Sequence, residues 1–217
     1  MKRLSKAISS YRNEYKGAAL IESRISKNPL AQFEHWMDEA IKKKVSEPTA
    51  MTLATVNKKL QPSARIVLLK GIDKKGFVFY TNYKSEKGSN LEKNKLCCLN
   101  FFWAKVQRQV RIYGKAEKVS SKESDAYFAS RPRASQVSVF ASPQSEVIRN
   151  RAFLDVRFAI YDGFFKDKKI QRPAHWGGYR VIPSSIEFWQ GRTNRLHDRL
   201  LFTKMKNGKW KLERLSP

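Results

Sequence analysis

Cysteine, histidine and acidic side chains are scarce in this 217-residue sequence, and each shortage closes off a class of function. The only two cysteines, Cys97 and Cys98, are adjacent within LCCLNFFW, which rules out a disulfide framework or a zinc site of the usual spacing. Both read as buried strand residues. His35, His175 and His197 are too far apart in sequence to suggest a metal-ligand motif. No apolar run approaches the ~18 residues of a membrane span, and MKRLSKAISSYRNEYKG lacks the apolar centre of a signal peptide. A soluble, cytoplasmic protein with no membrane partner is therefore expected. The G-x-S-x-G, Walker and G-x-G-x-x-G patterns are missing as well, which removes the commonest hydrolase and nucleotide-binding signatures.

Acid is short relative to base: 19 Asp and Glu stand against 44 Lys and Arg, a net charge of +25. Such an excess implies anionic partners, whether nucleic acid, a membrane surface or a phosphorylated small molecule. Hydrophobic residues at 41% and aromatics at 12% suffice for a substantial core. With no internal repeat and no clear linker, residues 28–217 are expected to form a single domain. Residues 1–27, polar and without evident periodicity, are expected to be a mobile N-terminal arm carrying Arg12 and Tyr15.

Asn28-Pro29 predicts a helix start, with Leu30, Phe33, Met37, Ala40 and Ile41 on one face. Strand patterns follow at 50–57, 63–70, 76–82, 96–103 and 106–119, joined by hairpin-sized links and interrupted by one inserted helix at 85–94. Ser120 with Glu123 three residues on is a capping box that opens a helix closed by Pro132. A second helix is expected over 146–161 after an RPRASQ loop, then strands at 176–181, 186–190, 196–204 and 209–215 around an Asn207-Gly208 hairpin. Regular helical crossovers are lacking, so the sheet is expected to be an antiparallel meander or barrel.

The chemistry lies in clusters of phosphate-binding character, where charged forks and hydroxyl or backbone donors converge. EFWQGRTNRLHDR, residues 187–199, combines three arginines, a histidine and a tryptophan just past a strand end. Continued as a strand, it would place Arg195, His197 and Arg199 on one face, either as a binding surface or as a solvated basic edge, with Arg192 a solvated turn residue. Arg65 and Lys70 fall on opposite faces of their strand and would serve different ligands or none. Tyr127 and Arg131 end one helix and Ser135 would cap the next. Ser85 and Lys87 offer an anion-friendly helix start beside Tyr80 and Thr81; Gln109 and Trp189 read first as structural, a strand hydrogen bond and a core ring, with an aromatic ligand as the alternative.

Together RIVLLK, VFYTN, RQV, YFASRPRASQ, PQS, HWGGYRV, IEFWQG and RLHDR resemble, in order and spacing, the pyridoxamine (pyridoxine) 5′-phosphate oxidase family, over about Arg12 to Pro217. The resemblance implies a mainly β, α+β fold, a Greek-key-like split β-barrel of antiparallel strands. It also implies a homodimer holding FMN between subunits. It would assign Arg65, Ile66, Lys70, Tyr80, Thr81, Lys87, Gln109, Gln144, Ser145, Trp189 and Arg199 to FMN. Lys70, Tyr127, Arg131 and Ser135 would bind the substrate phosphate, with Arg195 and His197 at the reacting ring as catalytic residues and Arg12 and Tyr15 closing over it. The implied reaction converts pyridoxamine or pyridoxine 5′-phosphate to pyridoxal 5′-phosphate, with O2 as final acceptor. Many members have Ser-Arg-Lys where this chain has Ser85-Glu86-Lys87, which replaces a phosphate-binding arginine by a carboxylate. Two phosphates account for only about 4 of the +25 charges, so a basic nucleic-acid-binding barrel is the rival reading, although nucleic acid is not the expected partner. A split-barrel flavin reductase with another substrate is the third.

Overall fold

The computed structural model describes residues 2–217, with side chains from Leu4 onward. In chain order the elements are α1 (Lys2–Ser10), α2 (Pro29–Lys42), β1 (Ala50–Val56), β2 (Pro62–Leu68), β3 (Gly71–Asp73), β4 (Gly76–Asn82), α3 (Glu86–Lys93), β5 (Leu96–Trp103), β6 (Arg108–Lys118), α4 (Ser121–Ser130), α5 (Arg133–Ala141), α6 (Arg151–Phe164), β7 (Trp176–Gln190), β8 (Asp198–Lys204) and β9 (Trp210–Leu215). No described helix is long and apolar enough to cross a membrane.

Local chemistry sets the helix starts. The Asn28 side chain accepts from Leu30 N at 3.0 Å with Pro29 at the first helical position, Ser120 accepts from Glu123 N at 3.1 Å, and Ser85 opens α3. The strands from β1 to β6 lie within two residues of their expected spans, apart from β3, which falls within an expected hairpin-sized link. Four other readings change. Residues 2–10 are helical, with Leu4, Ala7 and Ile8 on one face, a periodicity that a length of nine residues hides. Helix α5 occupies the expected RPRASQ loop, since Pro132, which stops α4, also caps the next helix. Helix α6 begins only at Arg151, where the Asn150 side chain accepts from Phe153 N at 3.1 Å. Strand β7 runs unbroken through Pro183: its first part pairs β4 as far as Val181, its second pairs β8 from Ser185, and the proline falls between these ladders.

The hydrogen-bonded order is β2-β1-β5-β6-β7-β4-β3, with β8 on β7 and β9 on β8, and the described strand pairings are antiparallel. Six α-helices accompany the nine strands among the described residues, so the fold is α+β with the antiparallel sheet expected of a split barrel.

The chain divides into two compact units. One comprises the residues up to Pro48 with Phe101–Arg111 and Ser185–Pro217. In its core α2 lays Phe33 on Phe101 and Trp36 on Phe188, with ring centroids 4.9 and 5.1 Å apart. The expected stripe holds at Phe33, Met37 and Ala40, but Ile41 is exposed and Trp36 joins the buried face in its place. The other unit comprises Thr49–Asn100 and Ile112–Ser184. Met51, Leu53, Phe77, Phe79, Leu99 and Val181 are buried there, and Phe128, Val137, Val139, Ile170 and Trp176 form a second cluster.

The opposite face of β1, β2 and β5 in the second unit is only partly covered. Thr52 lies opposite both Ile66 and Asn100, and Ala54 opposite Cys98, so these residues point away from Met51 and Leu53. Ile66 and Leu96 are 65% and 56% exposed.

Candidate functional site

In the second unit a cavity of about 300 Å³ is lined by Lys70, Lys87 and Arg131, by Tyr80, Tyr127 and Trp176, and by Thr81, Asn82, Gln144 and the Ile66–Leu68 edge of β2. Three cations line it and no carboxylate does. Tyr80 stacks on Tyr127 at 3.8 Å and on Trp176 at 5.6 Å, and the Arg131 guanidinium sits 4.7 Å over the Trp176 ring. Its Nη1 is buried without a hydrogen-bond partner. Burial pushes the Arg131 guanidinium below its ordinary pKa and lifts the Tyr80 phenol to about 12.

Lys87 is only 8% exposed, yet its Nζ contacts just Ser85 Oγ at 3.2 Å and Gln144 Oε1 at 3.3 Å, both neutral. Burial first, and then the Arg65 cation, lower its pKa. The Thr81 hydroxyl donates to the same Gln144 oxygen at 3.3 Å, while Ser145 follows with a left-handed backbone, φ 75°. Arg65 is held by Thr55 Oγ1 at 2.6 Å and Ser63 Oγ at 2.7 Å, and also reaches Glu86 Oε1 at 3.4 Å.

In the first unit a cleft of about 530 Å³ is bounded by Tyr11–Tyr15 and by Arg192, Asn194, Arg195 and His197. Tyr15 meets Trp189 and His197 edge-on, each at 5.5 Å, and rests over Gly191, where a Cβ would lie 2.8 Å from its ring. His197 packs 4.7 Å from Trp189, and its Nδ1 accepts from Arg192 N at 3.1 Å. That bond assigns any proton of the neutral ring to Nε2, which makes Nε2 a donor. Arg12 turns back to Ser9 O at 2.5 Å and Tyr11 O at 2.9 Å.

The expected strand face of Arg195, His197 and Arg199 does not form. Thr193–Arg195 is a tight 3-10 turn with positive φ at Asn194 and Arg195, and β8 starts only at Asp198. Arg195 and His197 share the cleft, whereas Arg199 donates to the buried Glu187, at 2.9 and 3.3 Å, and to Ser216 O. Glu187 also pairs with Arg111. Arg192 is no solvated turn residue: it donates to Gly17 O at 2.8 Å and pairs with Asp198 at 3.5 Å. Ser135 is inside the first turn of α5 rather than capping it, because Pro132 holds the cap position. Gln109 lies in β6 on the side opposite Val110.

A sequence model described as Pyridoxamine 5′-phosphate oxidase matches residues 37–162, and one described as Pyridoxine 5′-phosphate oxidase C-terminal dimerisation region matches residues 176–217. The chain belongs to the pyridoxamine 5′-phosphate oxidase family. Similar to it is a pyridoxine/pyridoxamine 5′-phosphate oxidase of Acaryochloris marina, 52% identical over 97% of this chain and 96% of that protein. Among solved structures, PhzG from Burkholderia lata in complex with tetrahydrophenazine-1-carboxylic acid superposes with a TM-score of 0.87 at 27% identity, over 93% of this chain and all of that one. A pyridoxamine 5′-phosphate oxidase-related, FMN binding protein of Nostoc punctiforme gives 0.71 at 16% identity over 89% of this chain and all of that one, a likeness of fold alone.

Pyridoxamine 5′-phosphate oxidases are oxidoreductases with FMN as cofactor. The residues present fit a phosphorylated ligand: a buried Lys87 whose bonds go only to neutral groups, and an Arg131 nitrogen with none, are both stabilised by an incoming anion. Family resemblance did not single out Asn82 or Trp176 in the cavity, or Arg192 in the cleft. The one available signal was HWGGYRV, where a tryptophan precedes two glycines packed against Tyr83 and Tyr80.

Proposed function

We propose that the protein converts pyridoxamine or pyridoxine 5′-phosphate to pyridoxal 5′-phosphate, and that it does so as a cytoplasmic homodimer with FMN between its subunits. The observation that carries this reading is the carboxylate-free cavity with its buried Lys87 and the unpartnered Arg131 nitrogen. In this scheme Lys70, Tyr127, Arg131 and Ser135 hold the substrate phosphate. Arg65, Ile66, Lys70, Tyr80, Thr81, Lys87, Gln109, Gln144, Ser145, Trp189 and Arg199 hold the cofactor. When bound, FMN would supply the hydride acceptor for the substrate's 4′ carbon, with dioxygen the final acceptor of the electron pair as hydrogen peroxide. The alcohol loses its hydroxyl proton to give the aldehyde directly; the amine passes through an imine whose hydrolysis releases ammonia.

The chain's own contribution is placement and charge. A fixed phosphate leaves the ring little freedom, which is the entropic part of catalysis. Arg195, kept in a left-handed turn at φ 59°, supplies a cation for charge developing on the substrate. His197 acts as a positioning donor through Nε2, because its Nδ1 is occupied by Arg192 N. Residues 1–27 serve as a lid on a single FMN-binding domain of residues 28–217, Arg12 and Tyr15 being its contacts. Lid motion would be confined to the stretch before Lys16, since Lys16 N, Gly17 N and Leu20 N are hydrogen-bonded to Gln107 Oε1, Gly191 O and Asp198 Oδ2.

Dimerisation draws support from the match to a dimerisation region and from the exposed Ile66 and Leu96 on the outer face of β2 and β5. The test is turnover: oxygen consumption with pyridoxine 5′-phosphate and FMN should yield pyridoxal 5′-phosphate and peroxide in equal amounts, and Arg195→Leu should lower kcat. Unchanged turnover in that variant would remove Arg195 from the active site.

A further inference from the structure

Arg65 and Lys87 form a pair of cations at the amino end of α3, near enough that Arg65 lowers the Lys87 pKa. The two differ in how they are satisfied. One edge of the Arg65 fork is fixed to Leu53 O, Thr55 Oγ1 and Ser63 O, all part of the β1–β2 ladder. Its Nη2 donates to Ser63 Oγ and makes one further, long contact, 3.4 Å to Glu86 Oε1. Lys87 has no carboxylate partner among the described residues. Glu86, 58% exposed at its side chain, is thus the single carboxylate in ion-pair range of either cation among the described residues. Arg65, by contrast, is 17% exposed.

An anion entering between Arg65 and Lys87 meets a carboxylate already there. Glu86 is loosely held, solvated and free to turn out, whereas both cations are anchored. The geometry points to Glu86 as a built-in competitor for the phosphate of the cofactor: it occupies the outer donor of Arg65 in the empty site, must turn aside on loading, and weakens the affinity for the phosphate specifically. This rests on the proposed assignment of Arg65 and Lys87 to FMN. The consequence is a site in which Arg65 is partly neutralised before the cofactor arrives, and a cofactor that exchanges more readily than the cation count suggests.

The experiment titrates FMN and, separately, riboflavin into the protein stripped of flavin, following flavin fluorescence, for the native chain and for Glu86→Gln. Riboflavin has the same ring and no phosphate, so it reports any general change in the pocket. Removing one solvated negative charge near a phosphate dianion should tighten FMN about five- to tenfold at low salt and less at high salt, with riboflavin unchanged. Equal FMN affinity in the two proteins, weaker FMN binding by Glu86→Gln, or a parallel gain for riboflavin would overturn the inference. If the native chain binds neither flavin, the assignment of the site to FMN fails, and the inference falls with it. A Glu86→Lys variant, expected to bind FMN more tightly still, guards against a glutamine that merely perturbs the first turn of α3.

Discussion

Replacing Arg131 by methionine should separate the role of that residue in binding from any role in stability. Its guanidinium lies 4.7 Å over Trp176 and its Nη1 is buried without a partner. A charge-assisted hydrogen bond to the substrate phosphate is worth about 1.5–3 kcal/mol, so its loss should raise KM for pyridoxine 5′-phosphate by about 10- to 150-fold. The folded protein should behave in the opposite sense. Methionine keeps most of the packing and forfeits a cation–π contact of about 0.5–1 kcal/mol, but it relieves an unsatisfied buried donor costing about 1–3 kcal/mol. The balance is neutral to about 2 kcal/mol stabilising, or roughly 0–8 °C in Tm for a chain of this size. Thermal unfolding must be measured on protein free of flavin and substrate, because ligands add their own stabilisation. A KM within twofold of the native value, or a Tm that falls by several degrees, would refute the reasoning, since either would make Arg131 a structural residue.

Two other expectations concern the first unit. Burial alone would raise the Glu187 pKa, but hydrogen bonds and charge from Arg199 and Arg111 outweigh it and hold the carboxyl below its usual range. A depressed pKa contributes stability above the unfolded value of about 4.3, and that stability disappears as pH falls through the folded one. Glu187→Gln should therefore cost about 3 kcal/mol near pH 7, with the gap in urea midpoints narrowing below pH 4; a gap that stays constant would contradict this. Gly17→Ala should loosen the anchor of the N-terminal segment, because a Cβ there would lie 2.1 Å from Gln190 Nε2, an atom itself bonded to Val106 O and Gln107 O. Faster tryptic cleavage ahead of residue 20 with a nearly unchanged Tm is the expected result, and unaltered cleavage would count against it.

Strand alternation and turn chemistry made most of the sheet legible, because β1, β2, β4, β5 and β6 are each bounded by turns the sequence announces. Side-chain destinations were less so. Arg199 and Arg192 look interchangeable in EFWQGRTNRLHDR, yet one is taken by a buried glutamate twelve residues earlier and the other by the carbonyl of Gly17. Neither partner can be inferred from local pattern, since long-range pairing decides both. The positive φ at Asn194 and Arg195 likewise breaks a strand that alternation alone would continue. Pro132 misled in the other direction, as the same ring that ends one helix begins another. The phosphate-binding character of Lys70, Lys87 and Arg131 was readable as charge, but their convergence on one cavity required the fold.

The central claim is tested most directly by the visible spectrum of the purified protein with FMN, recorded without oxygen before and after adding pyridoxine 5′-phosphate. The account predicts flavin bands that bleach on addition and return with air, as pyridoxal 5′-phosphate appears. Bands that persist unbleached, or a protein that takes up no flavin at all, would contradict it.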